Sequence, residues 1–486
     1  MAVRVQLAMV YQHVRYYFRM AVSALFRLDS AVITRAAMNM LQGHKHDPLI
    51  TALSEKENQV GAAYWSFNKP TVRTGAHALL HYPAMMVPSL QAMIMDCVSQ
   101  GQQESISVLD PFVGSGTVLV EAMEHGLDFF GLDINPLAGL ACLVKAGPYY
   151  VNSFDEKMRA LARAINADKR THTARQFNGR DKWFSMDVSK ELEKIHFHIR
   201  REPSQWARRL FWLALCRVVR VTCRSRKSTY KLHIEPTKSQ PEIANVYAEF
   251  TDVLGRFSTH LREQHNSLIQ KNLLARGRYI GKLGIEVADT QSYLSQGSIS
   301  QYDLVMTSPP YGDNATTIPY GQFSYLPLQW IDLEDIGIQS CSELVANTHA
   351  TDTASLGGRL RGAKKKVESL ADRYEAAKDF IGRLESQPNG QKRFGAFFYD
   401  LDRTVAGIAS ATRTGGVHSW TVSNRRICGL EAPMVPLLTE MLEARDIRVI
   451  GTISRGIHFK KMAAKNSLSA TMTTETILLA RKLGPT

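Results

Sequence analysis

Ile106-Ser107-Val108-Leu109-Asp110-Pro111-Phe112-Val113-Gly114-Ser115-Gly116-Thr117 is the stretch whose reading decides the fold. Its first four residues form a short apolar strand. Asp110 to Gly116 is a tight loop, where glycines permit a sharp turn and close approach of a ligand to the backbone. From Thr117 to His125 the apolar residues take helical spacing, and Gly126 is placed as a C-cap. Phe129-Phe130-Gly131-Leu132-Asp133 then reads as a second strand ending in an acid. Strand, loop, helix and strand in this order predict a crossover between parallel strands, and so an α/β fold.

The loop also has the character of a binding site. The helix start after it offers unpaired N–H groups and a positive dipole end, which suit a carboxylate. Asp133 follows Gly116 at the spacing of ribose-binding acids, and its carboxylate can accept from two vicinal hydroxyls. The loop is not GxGxxG, which argues against a nicotinamide dinucleotide, and it lacks the GKT or GKS of a phosphate grip. A plain tight turn with an ordinary strand acid is the other reading of these residues.

Outward from the loop, strand-like segments recur at Gly284–Asp289, Tyr302–Thr307, Val417–Ser423, Ile447–Ile453 and Thr476–Ala480. The intervening stretches are helical and charged. The expected organisation is a helical extension over 1–60, a cofactor-binding part over 61–150 and a basic helical insert over 151–280. A catalytic part over 281–335, a second helical insert over 336–395 and a C-terminal part over 396–486 complete it.

The whole chain sets limits on function. Its 486 residues, 44% hydrophobic and 21% charged, match a globular protein able to bury a sizeable core. Lys and Arg number 59 against 45 Asp and Glu, a net charge of +14, which favours a polyanionic partner. Cys97, Cys142, Cys216, Cys223, Cys341 and Cys428 are scattered with no CxxC pair. That spacing argues against zinc and against a disulfide framework, and fits a reducing, cytoplasmic setting. The N-terminus is broken by Arg4, Arg15 and Arg19, and no run of 18 apolar residues occurs, so neither a signal peptide nor a membrane span is expected. Met20 stands as an alternative start.

The second site-like element is Thr307-Ser308-Pro309-Pro310-Tyr311, at the exit of the strand YDLVMT. Two prolines fix φ and carry no N–H, so local carbonyls can be held outward. A carbonyl and the Ser308 hydroxyl can accept hydrogen bonds from an amino group, aligning its lone pair on a methyl donor. Tyr311 supplies a flat face for a base. Such chemistry needs positioning and electrostatic help, with no metal and no strong nucleophile. Pro-Pro pairs also mark ordinary loops, and a strand-exit turn is the competing reading.

Together, DPFVGSGT and TSPPY resemble the cofactor and catalytic motifs of the DNA amino-methyltransferases, which use S-adenosyl-L-methionine. The SPPY form is most similar to the cytosine-N4 enzymes. The adenine-N6 relatives more often carry an acid or Asn where Ser308 stands. Ala76-His77 through His81-Tyr82-Pro83-Ala84 and Pro88, the stretch from Gly415-Gly416 to Arg425-Arg426, and His458 to Ser467 with Glu475 and Ile477 to Ala480 resemble further elements of that family. The resemblance covers residues 64–145, 284–330 and 412–482. It implies a Rossmann-like seven-stranded methyltransferase sheet with helical insertions. It implies that Asp110, Phe112, Gly114, Gly116 and Thr117 form the cofactor loop, that Asp133 takes the ribose hydroxyls and that Asp289 sits near the adenine. Tyr82 and Pro83 would also touch the cofactor, and Ser308, Pro309, Pro310 and Tyr311 would hold a flipped base. In many SPPY enzymes the strip precedes the cofactor loop, whereas here it follows by about 190 residues.

The implied partner is double-stranded DNA, with a restriction or defence-system partner beyond it. Arg425 and Arg426 follow a strand that should end near the site, and Arg224, Arg226 and Lys227 cluster in the first insert; all are candidate phosphate contacts. Arg217 and Arg220 beside Trp206 and Trp212, and Arg359, Arg361 and Lys364 to Lys366 in the second insert, extend the candidates. Solvated helix faces and core tryptophans are the plainer readings. His77 and His81, at i and i+4, are read as packing residues because no third metal ligand is suggested nearby. The alternatives are an adenine-N6 DNA methyltransferase, an RNA guanine-N2 methyltransferase, or a catalytically silent DNA-binding subunit.

Overall fold

The computed structural model describes residues 41–43, 47–61, 65, 73–100, 105–227, 229–234, 245–296, 301–314, 317–337, 341–456 and 474–484. Its strands are β1 (Leu41–Gly43), β2 (Ser107–Asp110), β3 (Asp128–Asp133), β4 (Leu274–Ala275), β5 (Arg278–Tyr279), β6 (Leu283–Val287), β7 (Tyr302–Thr307), β8 (Thr412–Val422), β9 (Arg426–Ile427), β10 (Leu430–Glu431), β11 (Ile447–Gly456) and β12 (Thr474–Lys482). Eight of them form one sheet in the order β1-β11-β12-β8-β7-β2-β3-β6. Without the three-residue β1 at its edge, this is the expected seven-stranded sheet. β8, β7, β2, β3 and β6 run parallel, while β12 is inserted antiparallel between β8 and β11.

Alternation along the central strands makes the sheet the middle of three layers. Val108, Leu304 and Met306 join one buried cluster, and Leu109 and Val305 join the other. Strands buried on both faces read as unbroken apolar runs, which is why VLD and YDLVMT show no polar alternation. The helices of the first insert supply much of one outer layer. Phe154, Phe211, Trp212, Phe250 and Phe257 from them are all buried in it. Helix Pro388–Ser410 and helix Met434–Glu443 cover the other face, with Phe394, Phe398, Leu437 and Leu438 buried.

The sheet explains the order of the two motifs. β2 and β7 are neighbours and parallel, with Val108 opposite Leu304 and Leu109 opposite Val305. The loop leaving β2 and the strip leaving β7 therefore emerge side by side at the carboxyl edge. Chain order rises toward β3 and β6 on one side and toward β7 and β8 on the other, so this edge is a topological switch point, where α/β sheets bind ligands. The chain between the strands can be long because helices absorb it.

One expectation changes. Residues 1–60 were read as helical, yet Leu41–Gly43 is a strand paired antiparallel with Ile453–Gly451 of β11. Three residues gain strand structure only from a distant partner, which local periodicity cannot reveal. Helix Pro48–Val60 follows, its N-cap Asp47 accepting from Leu49 N at 2.9 Å. Residues 1–40 and the His458–Ser467 stretch lie outside the described residues.

Candidate active site

The loop after β2 is held from below. Gly114 and Gly116 have φ of +49° and +73°, the left-handed region where a Cβ is strained. A Cβ on Gly116 would also lie 3.0 Å from Cys142 Sγ. Val113 N donates to Leu132 O at 2.9 Å and Gly114 N to Asp133 Oδ2 at 2.9 Å, tying the loop to the end of β3. The other carboxylate oxygen of Asp133 accepts from Asn135 N at 2.8 Å. Beneath the loop, Lys145 is buried and its Nζ donates to Ser115 O at 2.6 Å. Burial pulls this ammonium down to about 8. Neither Cys142 nor Lys145 stands in a motif, so no local pattern marks either as a support of the loop.

Above the loop lies a cleft of about 840 Å³ that is open to solvent. Of the residues expected at a cofactor, Tyr82, Pro83, Phe112, Gly114, Thr117, Asp133 and Asp289 line it. Asp110 and Gly116 do not; they stand behind the wall and support it. Asp110 is fully buried, with Oδ1 accepting from Thr307 Oγ1 at 2.7 Å and from Phe112 N at 3.1 Å. The bond from Thr307 joins the last residue of β7 to the last residue of β2. Its Oδ2 has no partner in the described structure. Burial pushes the Asp110 carboxyl up to about 7 and the Asp133 carboxyl up to about 6. Of the two carboxyls only Asp133 stands in the cleft wall, beside the glycine turn, where it suits a ligand bearing hydroxyl donors.

The far walls come from distant segments. Tyr82 packs its ring on Tyr320, with centroids 5.5 Å apart, and its hydroxyl accepts from Asn135 Nδ2 at 2.9 Å. Asp289 caps helix Thr290–Leu294 through Oδ2, which accepts from Ser292 N at 2.9 Å and Ser292 Oγ at 2.7 Å. Thr290 Oγ1 donates to Pro111 O at 2.6 Å and fixes that helix against the loop. The second insert also enters the cleft, with Thr351, Ser355 and Leu356 in its wall. Asp352 beside them accepts from Gly321 N at 2.8 Å and holds the start of helix Tyr320–Gln329. No local pattern marks these residues; only the chain's return across the carboxyl edge places them.

The strip after β7 separates this cleft from a smaller cavity of about 340 Å³ lined by Ser308, Pro309, Pro310, Tyr311, Asn314, Thr317, Ile318, Tyr320 and Ala84. Ala84, Ser308, Pro310, Asn314 and Tyr320 belong to both walls, so the two spaces meet at the strip. Ser308 Oγ donates to the Tyr311 hydroxyl at 3.3 Å, which donates to Glu475 Oε1 at 3.4 Å. Burial, with Glu475 alongside, pushes the Tyr311 phenol well above its ordinary range, so it stays protonated. Asn314 is buried and its Oδ1 has no partner in the described structure.

The expected phosphate contacts divide. Arg425 is buried, with Nη1 at 3.1 Å from Asp313 Oδ2, and a Cβ on Gly312 would fall 1.8 Å from that nitrogen. Its guanidinium clamps the loop after the strip and is not a surface cation. Arg393 meets the other oxygen of Asp313 at 3.2 Å. Arg426, Arg226 and Lys227 are exposed, whereas Arg224 is half-buried with Nη1 on Asp181 O at 3.4 Å. Arg217 donates to Ala78 O and Leu79 O, and Arg220 lies over the Phe323 ring, so both are packed inside. Trp212 is buried with Nε1 on Asp335 at 2.7 Å. His77 pairs with Glu121 at 2.8 Å, and burial brings it down to about 3, a neutral packing histidine.

A family model described as DNA methylase, of the N6/N4 type, matches residues 39–138, which contain the loop after β2 and Asp133. A type II methyltransferase of Kocuria varians, M.MvaI, is 27% identical over 455 residues, spanning 90% of this chain and 97% of the relative. Among solved structures, the rRNA methyltransferase aviRa from Streptomyces viridochromogenes aligns over 85% of this chain and 90% of its own at 11% identity; its TM-score of 0.30 is too low to carry an argument. With the loop, the strip and the seven-stranded sheet in place, the chain is similar to the N6/N4 DNA methylases over residues 39–138 and to M.MvaI over most of its length.

Proposed function

We propose that this chain transfers a methyl group from S-adenosyl-L-methionine to the exocyclic amino group of a base flipped from double-stranded DNA, with cytosine N4 as the target. The observation that carries the reading is the meeting of two cavities at Ser308 and Pro310. A methyl donor in the larger and a base in the smaller share that boundary. Ser308 at the head of the strip favours cytosine, since the resemblance puts an acid or Asn there in adenine-N6 enzymes. A restriction-modification setting follows from the type II relative.

S-adenosylmethionine, when bound, supplies a methyl group made electrophilic by its sulfonium. Asp133 would accept from the ribose hydroxyls, Asp289 would stand at the adenine end, and Tyr82, Pro83, Phe112 and Thr117 would enclose the rest. The glycine turn would leave room for the methionine end, with Asp110 supporting that turn from behind the wall. The strip then does positioning work. Ser308 Oγ accepts from the target amino group and turns its lone pair toward the donor, while Tyr311 offers its ring to the base.

Flipping a base costs a few kcal/mol, so the flanking duplex must be gripped. Arg359, Arg361, Lys364 and Lys365 are exposed and begin three residues beyond Leu356 in the cleft wall. This basic ridge, with Arg426, Arg226 and Lys227, supports phosphate contact around the site.

Modified-base sequencing of DNA from cells with and without the protein tests the reading. N4-methylcytosine at one recurring sequence is the expected result. N6-methyladenine in its place would move the target base, and unchanged DNA together with undetectable cofactor binding would remove the enzyme reading.

The carboxyls predict a pH dependence of cofactor affinity. Hydroxyl and cationic groups favour ionised Asp133, whose value without ligand is about 6. Ligand binding therefore lowers that value. Affinity is full above about pH 6 and falls as pH drops below it, approaching tenfold per unit. Titration calorimetry from pH 5 to 8 should show the fall on the acid side; an affinity that rises toward pH 5 would contradict it.

A further inference from the structure

Glu475 and Arg455 stand directly opposite each other on the antiparallel strands β12 and β11. Arg455 Nε donates to Glu475 Oε2 at 2.8 Å, while Glu475 Oε1 accepts from the Tyr311 hydroxyl at 3.4 Å. The Tyr311 hydroxyl in turn accepts from Ser308 Oγ at 3.3 Å. This chain of bonds ends outside the strip, on elements that touch neither cavity.

We propose that Glu475, anchored by Arg455, is a positioning residue that sets the direction of the hydroxyl chain and so makes Ser308 Oγ an acceptor toward the target amino group. This rests on the amino-methylation reading above. A carboxylate can only accept. Tyr311 therefore spends its single hydrogen on Glu475 and has only lone pairs left for Ser308. Ser308 spends its own hydrogen on Tyr311, and its remaining lone pairs face the cavities. An amino group brings N–H donors, so it meets acceptors. Without the carboxylate, the Ser308 hydroxyl could turn its hydrogen to the base and set donor against donor. An isolated serine has no such preference, because its hydroxyl rotates to suit its surroundings.

Glu475→Gln tests the polarity with little change in shape. The amide has one acceptor oxygen, and the Arg455 N–H claims it. Its NH2 then faces Tyr311 and donates, which reverses the chain. Methyl transfer is measured with radiolabelled cofactor on duplex DNA carrying the mapped recognition sequence. The parent rate, Glu475→Gln, Tyr311→Phe and the double variant are compared, with cofactor affinity by calorimetry. The expected result is a fall in kcat on the order of 100-fold for Glu475→Gln, with cofactor affinity unchanged. In the Tyr311→Phe background the chain is already cut, so Glu475→Gln should add less than about twofold. A merely structural role for Glu475 would lower both backgrounds alike. Equal losses in the two backgrounds, or a parent-like rate for Glu475→Gln, would overturn the proposal. Absence of transfer by the unaltered chain would instead overturn the reading on which it rests.

Discussion

Ser308→Ala is expected to lower methyl transfer by about two to three orders of magnitude while leaving cofactor affinity within about twofold. The hydroxyl sits where the two cavities meet, and its hydrogen is directed away from them onto Tyr311. Removing it deletes an acceptor that an amino nitrogen needs as it gains positive charge on attack. The loss therefore falls on the transition state more than on binding, and kcat drops with kcat/KM. The cofactor loop is held by Asp133, Lys145 and Thr307, none of which leans on Ser308. Single-turnover transfer on duplex DNA, with calorimetry for the cofactor, measures both quantities. Full-rate transfer by the variant would exclude the strip from the chemistry, and a matching collapse of cofactor affinity would recast Ser308 as part of the cofactor site.

Asp133→Ala should weaken cofactor binding by about 100-fold or more and, through it, methylation at modest cofactor concentration. Two effects combine. On the proposed reading the acceptor for two ribose hydroxyls disappears, and hydrogen bonds to a charged group contribute about 1.5–3 kcal/mol each. Gly114 N and Asn135 N also lose their partner, which loosens the loop and the start of helix Pro136–Lys145. Asp133→Asn separates the contributions. Its amide keeps one acceptor but faces the other backbone N–H with a donor, and it should bind the cofactor between the parent and the Ala variant. Thermal unfolding distinguishes lost affinity from lost fold. Parent-like cofactor affinity in Asp133→Ala would remove this residue from the site.

DPFVGSGT and Asp133 were legible because a strand, a sharp glycine turn and a helix start are encoded within thirty residues. TSPPY was legible for the same reason: a buried strand must end, and paired prolines end it in one way. Arg425 was misjudged. A strand-exit arginine looks like a surface cation until Asp313, more than a hundred residues earlier, is found against it. The basic cluster of the first insert was misjudged in part for a similar reason. Arg217 and Arg220 lie on a helix that packs against the core, and their stems and charges are taken up by Ala78, Leu79 and Phe323.

What the sequence determined by itself was local. It set the α/β class, the glycine loop after β2, the acid at the end of β3 and the strip at the end of β7, each written in consecutive residues under short-range steric rules. Tertiary structure decided what those pieces face. Pairing β2 with β7 brought the loop and strip together in an order the chain does not suggest. The second insert closed the cleft with Thr351, Ser355 and Leu356. Pairing β11 with β12 put Arg455 opposite Glu475, and the packed sheet carried that carboxylate to Tyr311, 164 residues away along the chain. Hydrogen-bond direction depends on which groups meet in space, and for partners this far apart only the folded sheet decides that.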